Sequence, residues 1–174
     1  MRTFSKLFIV WLMLLVIFFS ACEEDDELPS ITSEGKNTFG CLVNGELWLP
    51  AGRFGNSGTF AEYMAFNDTS GVSIYADNYD EVSSMLISIF DIPTLKEGKI
   101  YDLTNTSFFV QYTEATENQG CFYRNVTSGQ LKLSKYDINQ KILAGTFEFK
   151  AYSDACNDTV TITEGRFDIG EIMQ

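Results

Sequence analysis

The chain has 174 residues, with 24 Asp and Glu against 12 Lys and Arg and no histidine, for a formal net charge of −12 at neutral pH. That balance argues against a nucleic-acid partner, whose phosphates require Lys and Arg, and against electrostatic docking on an anionic lipid surface. The absence of histidine removes Ser-His-Asp and Cys-His catalysis, HExxH zinc sites and the usual neutral-pH general base.

In chain order, the first feature is an apolar run. Arg2 and Lys6 are the only charges before Cys22, and Leu7 to Phe19 is 13 apolar residues. A membrane-spanning helix needs roughly 20 residues, so a basic start, this shorter core and the small pair Ser20-Ala21 predict a signal peptide over residues 1–21. With Cys22 directly after that pair, the segment resembles the lipobox of bacterial lipoproteins. The resemblance implies that Cys22 becomes the first mature residue and carries acyl chains, palmitate among them, on its sulfur and amine.

Glu23-Glu24-Asp25-Asp26-Glu27 follows. Like charges repel and bury no apolar area, so a solvated tether is expected, running through Pro29, Ser30, Thr32, Ser33 and Gly35 to about Lys36. The acidic run is also similar to the signal that sends Bacteroidota lipoproteins to the outer face of the outer membrane, which implies exposure at the cell exterior. Loss of residues 1–21 removes Arg2 and Lys6 and no acid, leaving ten bases against 24 acids, a mature charge of about −14.

Residues 37–174 have the size of one domain and can bury enough surface for a single core without a metal. Strand follows strand through this region. Thr38 to Val43 and Glu46 to Leu49 flank Asn44-Gly45, a dipeptide suited to a type I′ hairpin turn because both positions tolerate positive φ. Ala61 to Phe66 and Val72 to Ala76 form a second predicted hairpin. Met85 to Phe90, nearly all apolar, reads as a central strand. Further strands are predicted over Ser107 to Tyr112, Cys121 to Asn125, Gly129 to Ser134, Ala144 to Ala151 and Thr159 to Thr163. In Thr146-Phe147-Glu148-Phe149-Lys150 the phenylalanines take one face and the charges the other. The expected fold is all-β, an antiparallel sandwich of about ten short strands, with an up-and-down barrel as the alternative.

Lys36 to Pro50, with Phe39-Gly40-Cys41-Leu42-Val43-Asn44-Gly45 at its centre, resembles the opening signature of a family of uncharacterised Bacteroidota surface lipoproteins. Tyr136-Asp137, Ile142 to Phe149 and Val160 to Asp168 resemble its closing signature. The likeness covers the mature domain and is loose between residues 51 and 120. It implies the envelope address and the β fold. That family carries no assigned activity, so no catalytic residue transfers with it.

The exported compartment permits disulfides, and Cys41, Cys121 and Cys156 allow one bridge with one thiol left over. Cys121–Cys156 is the expected pair, because both lie in polar strand-edge surroundings and similar sequences carry cysteines at these two places. Cys41 sits in an apolar strand as a small buried hydrophobe. Three thiols without CxxC spacing make no zinc site.

Carboxylate chemistry survives the lack of histidine, since glycoside hydrolysis needs only two Asp or Glu residues. Asp77, Asp80 and Glu81, or Glu164 and Asp168, are the candidates, and turn or surface roles are the simpler account of each. Asp137-Ile138-Asn139 lacks the calcium-loop spacing and reads as a turn. Gly165 suggests a bulge. Arg166 could grip a carboxylate or phosphate, although pairing with Glu164 or Asp168 explains it more simply. Tyr63, Tyr75, Tyr101 and Tyr112 are candidates for a surface platform that stacks on sugar rings. Asp158-Thr159-Val160 resembles the Asp-Thr/Ser-apolar site of Bacteroidota O-glycosylation, which expects Thr159 outward and Val160 and Ile162 inward.

The function expected from these readings is a lipid-anchored, surface-exposed, non-catalytic binding or adhesion module for a glycan or protein partner, without a cofactor. A carboxylate-based glycan-active enzyme and a structural envelope protein are the alternatives. A pocket holding two carboxylates at hydrolase separation would favour the enzyme, and a flat tyrosine-rich face or an open sheet edge would favour binding.

Overall fold

The computed structural model describes residues 27–53, 58–66, 69–90, 95–115 and 119–173. The predicted signal peptide, Cys22 and the acids Glu23 to Asp26 lie outside the described residues.

Among the described residues there are twelve strands: β1 Thr38–Val43, β2 Glu46–Trp48, β3 Thr59–Phe66, β4 Thr69–Asn78, β5 Ser83–Phe90, β6 Ile100–Asp102, β7 Phe108–Ala115, β8 Gly120–Tyr123, β9 Asn125–Asp137, β10 Ile142–Ser153, β11 Asp158–Ile169 and β12 Ile172–Met173. They form two six-stranded sheets, ordered β2-β1-β11-β10-β9-β6 and β12-β3-β4-β5-β7-β8. Every named pairing is antiparallel except β12 on β3. The chain is therefore an all-β sandwich of two separate sheets, and the barrel alternative is set aside.

Two strands escape the sequence pattern. β6 and β12 span three and two residues, too short to express a period of two, and each is defined by the neighbour it pairs with. The Asn44-Gly45 turn behaves as its chemistry dictates, with φ of 53° and 90°. In β10, Phe147, Phe149 and Ala151 are buried while Glu148 and Lys150 are exposed, so the alternation read from the sequence is the alternation of the pleat.

The core is fully buried at Ile74, Ile87 and Ile89 on one sheet and at Leu131, Leu133 and Leu143 on the other. Burial of such a side chain contributes roughly 1.5–3 kcal/mol. The sheets are also stitched by aromatic and polar contacts. Trp48 of β2 meets the Tyr112 ring of β7 edge-on at 6.3 Å and donates from Nε1 to the Ser83 hydroxyl of β5 at 2.8 Å.

The bulge predicted at Gly165 is real, and Glu164 creates it. Register slips on both sides of this segment, between Gly40 and Leu42 on β1 and between Phe147 and Phe149 on β10. Glu164 takes φ of 52°, the left-handed conformation that such a bulge uses. A Cβ on Gly165 would lie 2.5 Å from the Phe147 ring, so glycine is required here for packing.

One expectation is corrected. The stretch predicted to run free to Lys36 is held on the first sheet. Asp168 of β11 accepts hydrogen bonds from the Thr32 hydroxyl at 2.6 Å, the Glu34 amide at 3.0 Å and the Gly35 amide at 2.7 Å. Arg166 donates to the Pro29 carbonyl at 3.4 Å, and Ser33 bonds Ser134 of β9 at 3.1 Å. Polar composition suggested a solvated tether because the docking depends on backbone amides and one distant carboxylate, which leave no hydropathy signal.

Candidate functional site

The two outer faces differ in chemistry. Gln130 and Lys132 of β9 and Glu148 and Lys150 of β10 face outward from the first sheet and are exposed. Gln130 donates to Glu148 at 2.7 Å, and residues 28–36 cover part of the remainder. This face is mostly polar and partly strapped over, with Ile31 and Ile100 exposed beside Gln130, Lys132 and Glu148.

The second sheet presents something else. Register turns Ala61, Ile74, Ile87 and Val110 toward the core, all at most 2% exposed, so their chain neighbours face outward. Across the sheet these outward residues form rows: Phe60–Tyr75–Leu86–Gln111, then Glu62–Ser73–Ser88–Phe109 on one side and Asp77–Ser84–Thr113–Phe122 on the other. Phe60 and Tyr75 stack with ring centroids 4.6 Å apart at 13°. Phe109 and Phe122 are 37% and 47% exposed. Ser73 and Ser88 lie beneath these larger side chains and share a 2.6 Å hydrogen bond, which leaves the floor of the face satisfied and uncharged. β3, β4, β5, β7 and β8 contain no lysine or arginine, and Glu62 and Asp77 are the outward charges among their described residues.

At one end this face descends into a cleft of about 290 Å³, lined by Asp77, Tyr79, Val82, Ser84, Thr113 and Glu114 among others. Partial burial raises the Asp77 carboxyl above its ordinary value. Glu114 accepts from the Tyr123 hydroxyl at 2.9 Å, and the Arg53 guanidinium lies 4.9 Å over the Tyr79 ring. Val82 stands on the rim, 61% exposed, with φ of 52°. A β-branched residue is strained in that conformation.

The four predicted platform tyrosines do not form one surface. Tyr101 and Tyr112 are core residues, 7% and 3% exposed. The Tyr101 hydroxyl accepts from the Lys96 amide at 2.6 Å, and Tyr112 packs on Trp48 and Tyr123. A tyrosine satisfies both requirements of a sandwich interior, apolar body and bonded tip, so residue type alone could not place them. Tyr63 is half-buried and packs inward against the core. Tyr75 alone of the four lies on the outer face. Phe60, Leu86, Phe109 and Phe122 were missed as site residues. The available signal was the lack of polar alternation in Met85 to Phe90 and in Cys121-Phe122-Tyr123.

The remaining candidates have structural duties. The Asp80 and Glu81 amides both donate to the Asn78 side-chain oxygen, at 3.0 and 2.9 Å, forming the β4–β5 turn. Glu164 pairs with Arg166 at 3.2 Å, and Asp168 is committed to residues 32–35. Asp137 accepts from the Asn139 and Gln140 amides, each at 3.0 Å. Cys121 and Cys156 are disulfide-bonded, with Cα atoms 5.6 Å apart, tying β8 of the second sheet to the β10–β11 turn of the first. Cys41 is buried and free, and burial pushes its thiol up to about 12. Thr159 is half-exposed, while Val160 and Ile162 are buried; its amide donates to the Asp158 carboxylate at 2.7 Å.

A family model described as a domain of unknown function (DUF6252) matches residues 56–169. That interval begins just before β3 and ends with β11, taking in the whole outer aromatic face. No curated protein and no solved structure matches the chain.

Proposed function

We propose that this chain, which belongs to the DUF6252 family, is a lipid-anchored binding module of the cell surface that engages its partner through the outer face of the second sheet. The observation that carries this reading is the asymmetry of the sandwich. One outer face is polar and strapped by the chain's own N-terminal segment. The other carries no lysine or arginine on its strands and includes Phe60, Tyr75, Leu86, Phe109 and Phe122. Phe109 and Phe122 on this face are exposed, and exposed apolar side chains grouped on one face mark interaction sites in soluble domains. Of the candidate carboxylates, Glu164 and Asp168 are engaged by Arg166 and residues 32–35 and Asp80 and Glu81 belong to a turn, which supports a non-catalytic role; Asp77 shares a cleft with Glu114, whose carboxylate is bonded to the Tyr123 hydroxyl. The acidic run after Cys22 supports placement on the outer membrane, facing outward.

Two measurements test the reading. Protease shaving of intact cells should remove the domain. Mature protein should bind preparations of cell-surface and extracellular material, and the double variant Phe109→Ser/Phe122→Ser should lose that binding at unchanged thermal stability. Equal binding by the variant, or none by either protein, would refute the assignment of the face.

A further inference from the structure

We infer that the cleft at the end of this face binds a small zwitterion, an amino acid or short peptide with an apolar side chain, with its ammonium on Asp77 and its carboxylate on Arg53. This site goes beyond the binding face, whose exposed phenylalanines it does not use.

The anionic pole is Asp77. It lines the 290 Å³ cleft, and among the described residues its carboxylate accepts no hydrogen bond and forms no ion pair. Burial raises its pKa. A half-buried carboxylate without a partner carries a desolvation cost that a bound cation offsets. An ammonium group suits the place because it has three donors to satisfy. Register sets Ser84 and then Thr113 beside Asp77 in one outward row, and both residues line the cleft.

The cationic pole is Arg53. Its guanidinium lies 4.9 Å over the ring of Tyr79, which lines the same cleft. It pairs with no carboxylate among the described residues. A guanidinium takes a carboxylate through two parallel hydrogen bonds. Backbone bonds fix where both poles start. The Ala51 amide donates to the Asp77 carbonyl at 3.0 Å, the Tyr79 amide to the Ala51 carbonyl at 3.0 Å, and the Asp77 amide to the Gly58 carbonyl at 2.7 Å. Arg53 follows Ala51 by two residues, so this ladder brings it to Tyr79 while leaving it unpaired with Asp77. Two opposite charges held near one cleft, each without a partner, select a ligand that carries both.

Size and lining fit the rest of such a ligand. Val82, Ala115 and Gly120 give the cleft an apolar part. A dry cavity of about 150 Å³ accepts benzene, so 290 Å³ admits a side chain the size of leucine or phenylalanine. Val82 keeps its φ of 52° on the rim, and backbone strain of this kind gathers at ligand clamps. A simple anion would meet Asp77 and Glu114 unpaired, and a simple cation would leave Arg53 unused.

The experiment titrates mature protein carrying Cys22→Ser with L-phenylalanine and with L-leucyl-L-leucine, then with the N-acetyl and C-terminal amide form of each. Amide chemical shifts read binding and report the fold of every variant in the same spectra. At least one zwitterion should bind at millimolar concentration. Its acetyl and amide forms should each bind at least roughly tenfold more weakly, the factor that about 1.4 kcal/mol represents. Asp77→Asn and Arg53→Gln, each folded by its spectrum, should weaken the zwitterion by a similar factor. Preference for the dipeptide would identify a peptide terminus as the ligand, and preference for phenylalanine a free amino acid. Phe109→Ser, on the apolar face, should leave the affinity unchanged; a loss there would move the ligand out of the cleft and overturn the assignment. No binding by either zwitterion, equal binding by a blocked form, or undiminished binding by Asp77→Asn or Arg53→Gln would overturn it as well. None of these failures touches the binding face, which is read by Phe109→Ser/Phe122→Ser on surface material.

Discussion

Thr32 and Asp168, 136 positions apart, are joined by a 2.6 Å hydrogen bond from the threonine hydroxyl to a carboxylate oxygen. With the Glu34 and Gly35 amides on the same carboxylate, this bond converts part of an acidic leader into a strap across the first sheet.

The strap is expected to respond to acid. Burial of Asp168 raises its pKa, but the bonds from Thr32, Glu34, Gly35 and Lys36 outweigh that and hold it below the ordinary carboxylate range. A folded-state pKa that is depressed contributes stability in full above the unfolded value, about 3.9, and loses it as pH falls through the lowered value. Asp168→Ala should loosen residues 28–36 at neutral pH by about 1–3 kcal/mol, the cost of leaving bonded donors without a partner. Faster hydrogen exchange at the Glu34 and Gly35 amides is the readout. Unchanged exchange would show that the strap is held by other contacts.

The bridge between Cys121 and Cys156 closes 35 residues. On the chain-entropy account it stabilises by roughly 3–4 kcal/mol, so Cys121→Ser/Cys156→Ser should lower the unfolding free energy by that amount in urea titration. Non-reducing digestion should yield the linked peptide, with Cys41 alkylated only after denaturation. A linked peptide containing Cys41 would contradict the pairing.

Val82 offers a stabilising change. An L-residue held in the left-handed region costs roughly 1–2 kcal/mol, a cost that asparagine largely escapes. Val82→Asn should therefore raise stability by about 1 kcal/mol, detectable as a higher Tm. The side chain is 61% exposed, so little packing is lost. A lower Tm would mean that Val82 is held by contacts at the cleft rim.

Anchoring is testable at Cys22. Each buried methylene of an acyl chain contributes about 0.8 kcal/mol to membrane binding. Cys22→Ser should release the protein to the soluble fraction or leave an unprocessed precursor. Replacing Glu23, Glu24, Asp25 and Asp26 by Ala should leave lipidation intact and abolish protease accessibility on whole cells. Processed Cys22→Ser protein retained on membranes would exclude the lipid anchor.

Thr159 is tested by mass. If the Asp158-Thr159-Val160 segment accepts an O-glycan, native protein should exceed Thr159→Ala by a sugar mass beyond the side-chain difference. The half-exposed position of Thr159, beside buried Val160, leaves its hydroxyl room for the modification. Equal corrected masses would remove it as a site.

Much of the fold was legible because it is written in short-range patterns. Asn44-Gly45 specifies its turn through the φ values that those two residues tolerate, and Phe147-Glu148-Phe149-Lys150 declares its two faces within four positions. The polar settings of Cys121 and Cys156 indicated the pair that the sandwich closes. The site was less legible. Tyr75, Tyr101 and Tyr112 look alike in the sequence, yet one lies outside and two lie in the core.

By itself the sequence determined a strongly acidic, all-β domain, since charge, turn chemistry and period-two alternation are properties of neighbouring residues. Only the tertiary structure decided which apolar face is the core and which faces solvent. In β5, Ile87 and Leu86 are equally apolar, and a period of two separates them without saying which side meets the other sheet. Only the tertiary structure, likewise, brought Asp168 to Thr32. A carboxylate satisfied by backbone amides more than 130 residues away is a consequence of chain return, which no local pattern encodes.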